Sequence, residues 1–297
     1  MEAITRNYDA FHTNKIGKYP GANSKTEGKS PRRRLNDAEM INKSPNSQTR
    51  LHHCATATPH LRPAASWCTL NWSLAQYTVT RVYPIVPRIY PIIDTGTLDR
   101  LNLPAIIAAE ALIEGGARIL QIRHKTFWSR ETFLIAEAIA ALCKSAGVLF
   151  VVNDRADYAA ILGAALHVGQ DDLTPADARR VIGTDAVLGY STHNPEQIRA
   201  VEQNDSHTID YLAFGPMFPT VSKEHPDPTV GIEGLKAIRT LTRRPLVAIG
   251  GITRDNAFTC WNAGADSVAV IADLYPNPCT KIMLRDRMTE WQSLTTA

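Results

Sequence analysis

Short apolar runs alternate with longer helix-like segments eight times between residue 87 and the end of the chain. Turn residues bound each run, and the segments between the runs carry apolar residues at helical spacing. Alternating strand and helix units build parallel sheets, and eight units are the number that closes a barrel. We therefore predict one α/β domain, a (β/α)₈ TIM barrel, over residues 81–297. The predicted strands are 88–93, 119–122, 149–152, 165–168, 186–189, 211–214, 246–249 and 267–270, although residues 83–86 nearly repeat 90–93 and compete for the first strand.

Residues that favour helix N-termini precede the predicted helices, and glycines follow them. The predicted N-terminal positions are Asn102 with Pro104, Ser129, Thr174 with Pro175, Asn194 with Pro195, and Thr253. The predicted C-terminal glycines are Gly115 with Gly116, Gly147 and Gly264.

Residues 1–80 differ from the rest of the chain in charge and in periodicity. They hold 11 Lys and Arg against 5 Asp and Glu, whereas the remaining residues hold 21 against 24. Their apolar runs repeat neither every two nor every 3.6 residues, so we predict a basic N-terminal extension of low order. Its Arg32-Arg33-Arg34 run is more typical of a solvated segment than of a nucleic-acid or membrane contact. Whether the segment is translated or functional stays open.

Composition argues against several classes of protein. No stretch before the first predicted strand holds the ~20 apolar residues of a membrane span, and the first ten residues lack both the basic and the apolar part of a secretory signal. The five cysteines are odd in number and never spaced as Cys-x-x-Cys, which argues against a disulfide scaffold or a zinc site. We expect a cytoplasmic protein that binds neither nucleic acid nor membrane.

Polar residues follow the predicted strands at the end where a barrel places its active site. Gln121, Arg123 and Lys125 are two residues apart, so their side chains face one way along an extended chain. The later strands are followed by Asn153 and Asp154, residues 169–172, Ser191 and His193, residues 215–223, Gly250 and Gly251, and residues 270–272. We therefore expect the ligands to bind at this rim.

The charges at the rim predict a site for a magnesium-bound polyphosphate. Asp154 and Asp172 supply hard carboxylate oxygens, and Mg²⁺ typically takes one or two of these and completes its octahedron with phosphate and water. Arg123, Lys125 and Lys223 would neutralise the remaining phosphate charge.

Gly250 and Gly251 predict a second, smaller anion site. Glycine lets backbone N–H groups approach a phosphate closely, and the loops after strands seven and eight commonly bind phosphate in this architecture. A glycine pair alone is more typical of a tight turn, so its position after the seventh strand carries this prediction. Two phosphorylated ligands are thus expected to meet at the rim.

Six short motifs stand in order at the ends of six successive strands. They are Gln121-Ile122-Arg123-His124-Lys125, Val152-Asn153-Asp154-Arg155, His167-Val168-Gly169-Gln170-Asp171-Asp172, Gly189-Tyr190-Ser191-Thr192-His193, Gly215-Pro216 through Thr220-Val221-Ser222-Lys223, and Ala248-Ile249-Gly250-Gly251-Ile252. Together they resemble the thiamine-phosphate synthase family over residues 88 to about 275. Residues 1–80 have no counterpart in that pattern.

The resemblance implies a magnesium-dependent transferase. Such an enzyme joins 4-amino-2-methyl-5-(diphosphooxymethyl)pyrimidine to a thiazole phosphate, or to its carboxylated form, and releases thiamine monophosphate and pyrophosphate. The resemblance assigns the pyrimidine diphosphate to Gln121, Arg123, Lys125, Asn153, Ser191 and Lys223, of which Arg123, Lys125 and Lys223 would be catalytic. It assigns magnesium to Asp154 and Asp172, and the thiazole phosphate to Thr220, Ser222, Gly251, Ile271 and Ala272. The partners implied are phosphorylated small molecules, and homo-oligomer formation stays open.

Three positions depart from the family pattern, and three questions about the site stay open. His124, Ser222 and Ala272 stand where the family often has Glu, Thr and Ser. Asp171 competes with Asp172 for the metal, and the role of His193 is ambiguous. The alternative functions are a thiazole tautomerase-like enzyme and a non-catalytic barrel that binds thiamine precursors and regulates another process.

Overall fold

The computed structural model describes residues 84, 86–205, 207–220 and 228–296, so the predicted extension at residues 1–80 lies outside the described residues. Eight parallel strands close into a barrel, each pairing with the next and β8 with β1, which confirms the predicted fold class. They are β1 (Ile89–Asp94), β2 (Ile119–Arg123), β3 (Leu149–Asn153), β4 (Ala165–Val168), β5 (Leu188–Thr192), β6 (Tyr211–Phe214), β7 (Leu246–Ile249) and β8 (Ser267–Val270).

Helices connect the strands and surround the barrel. They are α1 (Thr95–Leu101), α2 (Ala105–Glu114), α3 (Arg130–Ala146), α4 (Ala156–Leu162), α5 (Pro175–Ile182), α6 (Pro195–Asn204), α7 (Gly231–Arg239), α8 (Ala257–Asn262) and α9 (Lys281–Ser293), with a 3₁₀ turn at Ala272–Leu274. None of the helices in the described ranges has the length and apolar character needed to cross a lipid bilayer.

The apolar residues form two layers. The outer layer lies between strands and helices and contains large side chains such as Ile93, Leu120 and Trp291. The inner layer fills the barrel and contains Tyr90 and Tyr211 beside smaller residues. Strand side chains alternate between the two layers. The residue two positions after the last inner-layer residue of a strand therefore also points into the barrel, and it lies at the C-terminal rim.

The strand boundaries agree with prediction to within one residue, except at β5. The competition for the first strand is decided in favour of the second repeat, since β1 contains Tyr90. The fifth strand was predicted at residues 186–189, and it runs instead from Leu188 to Thr192. The carbonyl of Ala186 accepts a hydrogen bond from the Arg179 guanidinium (2.5 Å), outside the strand ladder. The shift places Ser191 inside the strand rather than in the loop after it.

The predicted helix N-termini are confirmed at three positions and wrong at two. Ser129, Thr174 and Asn194 accept hydrogen bonds from the backbone N–H three residues ahead, which satisfies a donor that the helix leaves unpaired. Asn102 instead ends α1 with a left-handed backbone, φ 50°, although Pro104 of the same predicted start directly precedes α2. Thr253 does not cap α8, because Asn256 is the residue that precedes that helix.

Among the predicted C-terminal glycines, Gly147 ends α3 in the left-handed conformation (φ 67°) and Gly264 follows α8 with φ 103°. At the end of α2 the left-handed residue is Gly116 rather than Gly115.

Candidate active site

The C-terminal ends of the strands surround an open cavity of about 1080 Å³. Every predicted site residue that the structure describes lines it. These are Gln121, Arg123, Lys125, Asn153, Asp154, Asp172, Ser191, Thr220, Gly251, Ile271 and Ala272. Ser222 and Lys223 lie outside the described residues.

Strand alternation explains how β2 reaches this cavity. Ile119 belongs to the interior layer, and Gln121 and Arg123 follow it at intervals of two, so both point inward. Gln121 is buried and donates from Nε2 to the hydroxyl of Tyr90 (2.8 Å). Arg123 forms an ion pair with Asp94 at the end of β1 (2.5 Å). Lys125 continues the series beyond the strand and is half exposed.

Two carboxylates meet beside Lys125. The Lys125 Nζ lies 2.5 Å from Oδ2 of Asp154, in the loop after β3. The carboxylate of Asp172, in the loop after β4, accepts a hydrogen bond from the Gly169 N–H (2.7 Å) and lies close enough to Asp154 to raise its pKa. Burial and the neighbouring Asp172 raise the pKa of Asp154, although Lys125 opposes them. Two acids from different loops therefore share one place in the cavity.

The backbone at Asp154 holds its carboxylate in an unusual orientation. Asp154 is left-handed, with φ 67°, a conformation that few residues other than glycine, asparagine and aspartate tolerate. Its N–H donates to the carbonyl of His167 (2.8 Å), which ties the β3 loop to β4. Backbone strain of this kind is typical of functional sites.

The donor set fits magnesium. Asp154 and Asp172 present hard oxygens, and a pair of like charges is relieved when a cation binds between them. The described residues contain no group of three or more His, Cys, Asp or Glu that could hold a metal ion. A two-carboxylate site leaves the other coordination positions to ligand oxygens and water, as Mg²⁺ requires. Asp171 is exposed, and Asp172 is the acid of this loop that lies close enough to Asp154 to raise its pKa.

A chain of hydrogen bonds crosses the barrel below the cavity. The Tyr90 hydroxyl lies 2.9 Å from that of Tyr211, which lies 3.0 Å from Nδ1 of His167. Nε2 of His167 lies 2.9 Å from the Ser191 hydroxyl. Burial raises the pKa of both tyrosines, so their hydroxyls stay protonated. These hydrogen bonds thus fix two side chains that are predicted to bind substrate, Gln121 at one end and Ser191 at the other.

The loops after β6, β7 and β8 form the other side of the cavity. Gly250 and Gly251 are left-handed, with φ 98° and 64°. A Cβ on Gly251 would lie 2.5 Å from the Pro219 carbonyl oxygen and 2.8 Å from Cβ of Phe218. The Phe218 N–H donates to the Gly250 carbonyl (3.0 Å), so the glycine turn packs directly against the loop that carries Thr220.

His193 contacts this loop as well. Its Nδ1 lies 2.7 Å from the Gly215 carbonyl oxygen, and its own N–H donates to the Gln197 side chain (2.7 Å). A carbonyl accepts, so the Nδ1 position carries the proton. His193 therefore connects the end of β5 with the start of the β6 loop, next to the Asn194 cap.

Comparison with known proteins shows which family this chain belongs to. A family model described as thiamine monophosphate synthase matches residues 89–274, which span all eight strands. The chain belongs to the thiamine monophosphate synthase family. The resemblance predicted from the six strand-end motifs is thereby confirmed.

Individual family members agree with this assignment. The thiamine-phosphate synthase of Koribacter versatilis is 46% identical over 196 residues, which cover 65% of this chain and 91% of that protein. The thiamine-phosphate synthase of Chlorobium limicola is 41% identical over 175 residues, 59% of this chain and 81% of that protein. The structure of thiamine phosphate pyrophosphorylase from Pyrococcus furiosus is similar with a TM-score of 0.60 and 28% identity, over 70% of this chain and 95% of that chain.

Several residues of this family member's cavity were not predicted from its sequence. Tyr90 and Asp273 line it besides the residues that were named from the sequence. Asp273 forms an ion pair with Arg254 (3.0 Å) and so joins the β8 rim to the loop after β7. The alternation of β1 carried a usable signal for Tyr90, because an aromatic hydroxyl inside a barrel needs a polar partner. No spacing rule connects Asp273 with Arg254.

Proposed function

We propose that this chain joins the pyrimidine diphosphate to a thiazole phosphate and releases thiamine monophosphate and pyrophosphate. The observation that carries the proposal is the position of two anion-binding arrangements in one cavity. Arg123, Lys125 and the acid pair stand on the β2–β4 side, and Gly250 and Gly251 stand on the β7–β8 side. One cavity that accepts two phosphorylated ligands suits a condensation between them.

In the proposed reaction, the bond between the pyrimidine methylene carbon and the diphosphate oxygen breaks, and its electron pair leaves with pyrophosphate. The thiazole nitrogen then donates its lone pair to that carbon. Magnesium held by Asp154 and Asp172 would stabilise the negative charge of the leaving group. Arg123 and Lys125 would contribute further charge stabilisation and hold the diphosphate, so no general base is required. Lys223 stays predicted for the same role.

On the other side of the cavity, the thiazole phosphate would meet Thr220 and the backbone N–H groups of Gly251, Ile271 and Ala272. Left-handed glycines expose their N–H groups without a side chain to block an anion. Ser222 stays a predicted ligand of this phosphate. Gln121, Asn153 and Ser191 would orient the pyrimidine ring from the floor of the cavity, where the tyrosine–histidine chain supports two of them.

The acid pair favours the synthase over the two alternatives. A tautomerase would bind thiazole phosphate alone, at the glycine turn. It would have no need of a metal site beside Arg123 and Lys125 on the opposite side of the cavity. A regulatory barrel would not require a strained backbone to present Asp154.

The direct test mixes the purified protein with both phosphorylated precursors and Mg²⁺. We expect thiamine monophosphate and pyrophosphate in equal amounts, and neither when Mg²⁺ is removed by EDTA. Formation of a thiazole isomer without the pyrimidine substrate would favour the tautomerase. Binding of both precursors without turnover would favour the regulatory barrel.

We also propose that residues 1–80 are dispensable for this activity. The eight strands of the barrel lie within residues 89–270, and Val86 is the first buried apolar residue of the interior layer among the residues that the structure describes. A chain beginning at Val82 is expected to be soluble and to keep the melting temperature and turnover of the full chain. Insoluble protein after this truncation would contradict the proposed domain division. The cytoplasmic location and the oligomeric state stay predictions.

A further inference from the structure

Asp94 is a buried acid that stands behind the cavity rather than in its lining. It is 8% exposed and ends β1. Arg123, which lines the cavity, is its direct neighbour in the parallel pairing of β1 with β2. The neighbouring strands thus bring a carboxylate and a guanidinium together, although 29 residues separate them in sequence.

The two oxygens of this carboxylate have different partners. Oδ1 accepts from the Thr97 N–H (2.9 Å) and from the Thr97 hydroxyl (2.8 Å), so it caps α1. Oδ2 accepts from Nη1 of Arg123 (2.5 Å). Because α1 begins at the next residue, the carboxylate cannot swing away from Arg123 without losing the helix cap.

We propose that Asp94 is a positioning residue that holds the Arg123 guanidinium against the diphosphate of the substrate, an inference that rests on the proposed function. An arginine side chain has many rotamers, and a fixed partner at Nη1 restricts them before the substrate arrives. The guanidinium presents five N–H donors in a planar fork, so one edge can bind Asp94 while another faces the cavity.

An asparagine at this position tests the two roles separately. The asparagine amide has one acceptor oxygen, which can accept from the helix cap or from Arg123 but not from both. Its NH₂ group is a donor and cannot bind the N–H groups on the other side. Thr97→Val is the matched control, because it removes the hydroxyl that binds Oδ1 and leaves the contact with Arg123 in place. Thr97→Val therefore weakens the cap alone. In Asp94→Asn the amide oxygen keeps the cap, where asparagine is favoured as strongly as aspartate, and the NH₂ group turned toward Arg123 releases the guanidinium.

We expect Asp94→Asn to raise the KM for the pyrimidine diphosphate about tenfold, the usual effect of losing one hydrogen bond to a charged group. The KM for the thiazole phosphate should stay within about twofold of the wild-type value. Thr97→Val should lower the melting temperature with both KM values unchanged. If Asp94→Asn gave the same profile as Thr97→Val, or raised both KM values equally, the positioning role would be overturned.

Binding of magnesium pyrophosphate, measured by calorimetry, keeps this inference separate from the proposed function. The dissociation constant should rise about tenfold in Asp94→Asn but should not rise further when Asp94→Asn is added to Arg123→Met. Equal effects of Asp94→Asn with and without Arg123 would overturn the inference. Wild-type protein that forms no thiamine monophosphate would contradict the proposed function, and the calorimetric comparison would still decide the role of Asp94.

Discussion

Replacing Asp154 with asparagine is expected to reduce magnesium-dependent pyrophosphate release by at least ~100-fold, the usual scale for losing a group that stabilises developing charge. The carboxylate lies beside Asp172 of the neighbouring loop, and asparagine keeps its shape but removes the charge that would bind the metal. Asparagine also tolerates the left-handed backbone at φ 67°, whereas alanine would add strain. Initial rates over a range of Mg²⁺ concentrations measure the effect.

Asp171 supplies the matched control. It is the exposed neighbour of Asp172 and lines the same cavity. Asp171→Asn should keep nearly wild-type turnover, and Asp172→Asn should resemble Asp154→Asn. Retained activity in Asp172→Asn together with lost activity in Asp171→Asn would assign the metal to the other acid of the loop.

Asp154→Asn is expected to leave the barrel at least as stable at pH 7 as in the wild-type protein. The raised pKa of Asp154 means that folding disfavours its ionised form, so the stabilisation present at acidic pH is lost as the pH rises through that pKa. A neutral asparagine avoids this loss. Thermal melting should show that Mg²⁺ raises the melting temperature of the wild-type protein and not that of Asp154→Asn. A lower melting temperature without metal would attribute the lost activity to damaged folding.

Gly251→Ala is expected to raise the KM for the thiazole phosphate at least ~10-fold while the KM for the pyrimidine diphosphate changes little. The added Cβ would meet the Pro219 carbonyl oxygen at 2.5 Å and Phe218 at 2.8 Å, so the loop that carries Thr220 must move. The left-handed backbone adds strain of ~1 kcal/mol or more to the free energy of folding. Steady-state kinetics with each substrate varied in turn separates the two sides of the cavity.

Gly147→Ala is the control for the backbone term alone. Gly147 has φ 67°, close to the 64° of Gly251, and a Cβ there would meet no heavy atom within 4 Å. Gly147→Ala should lower the melting temperature and leave the KM values for both substrates unchanged. Equal kinetic effects of the two substitutions would contradict the proposed phosphate site at the glycine turn.

Much of the fold was predictable because apolar runs and turn residues report strand boundaries locally. The exception, β5, contains Gly189, Tyr190 and Ser191, which do not form an apolar run. The structure accommodates them because Ser191 has a hydrogen-bond partner inside the barrel and the Tyr211 ring occupies the space beside Gly189. A strand whose stability depends on such cross-barrel contacts carries little local signal.

The described part of the predicted site was also largely accessible from the sequence, because strand ends of a parallel barrel meet at one rim. Gln121, Arg123 and Asp154 could be placed there from alternation and loop position alone. Asp94 was missed because the predicted first strand ended one residue earlier, at Ile93. Its pairing with Arg123 depends on the register between two strands, which a strand boundary does not reveal.

Local periodicity was enough to predict that the chain forms a parallel barrel and that polar residues lie together at one rim. Closure of the barrel brings Asp172, whose neighbour Asp171 is exposed, close to Asp154. It also connects Tyr90 with Ser191 through Tyr211 and His167. These contacts join residues from different strands. They come into being when the barrel closes and sets the register between neighbours, and no pattern within a single segment records that geometry.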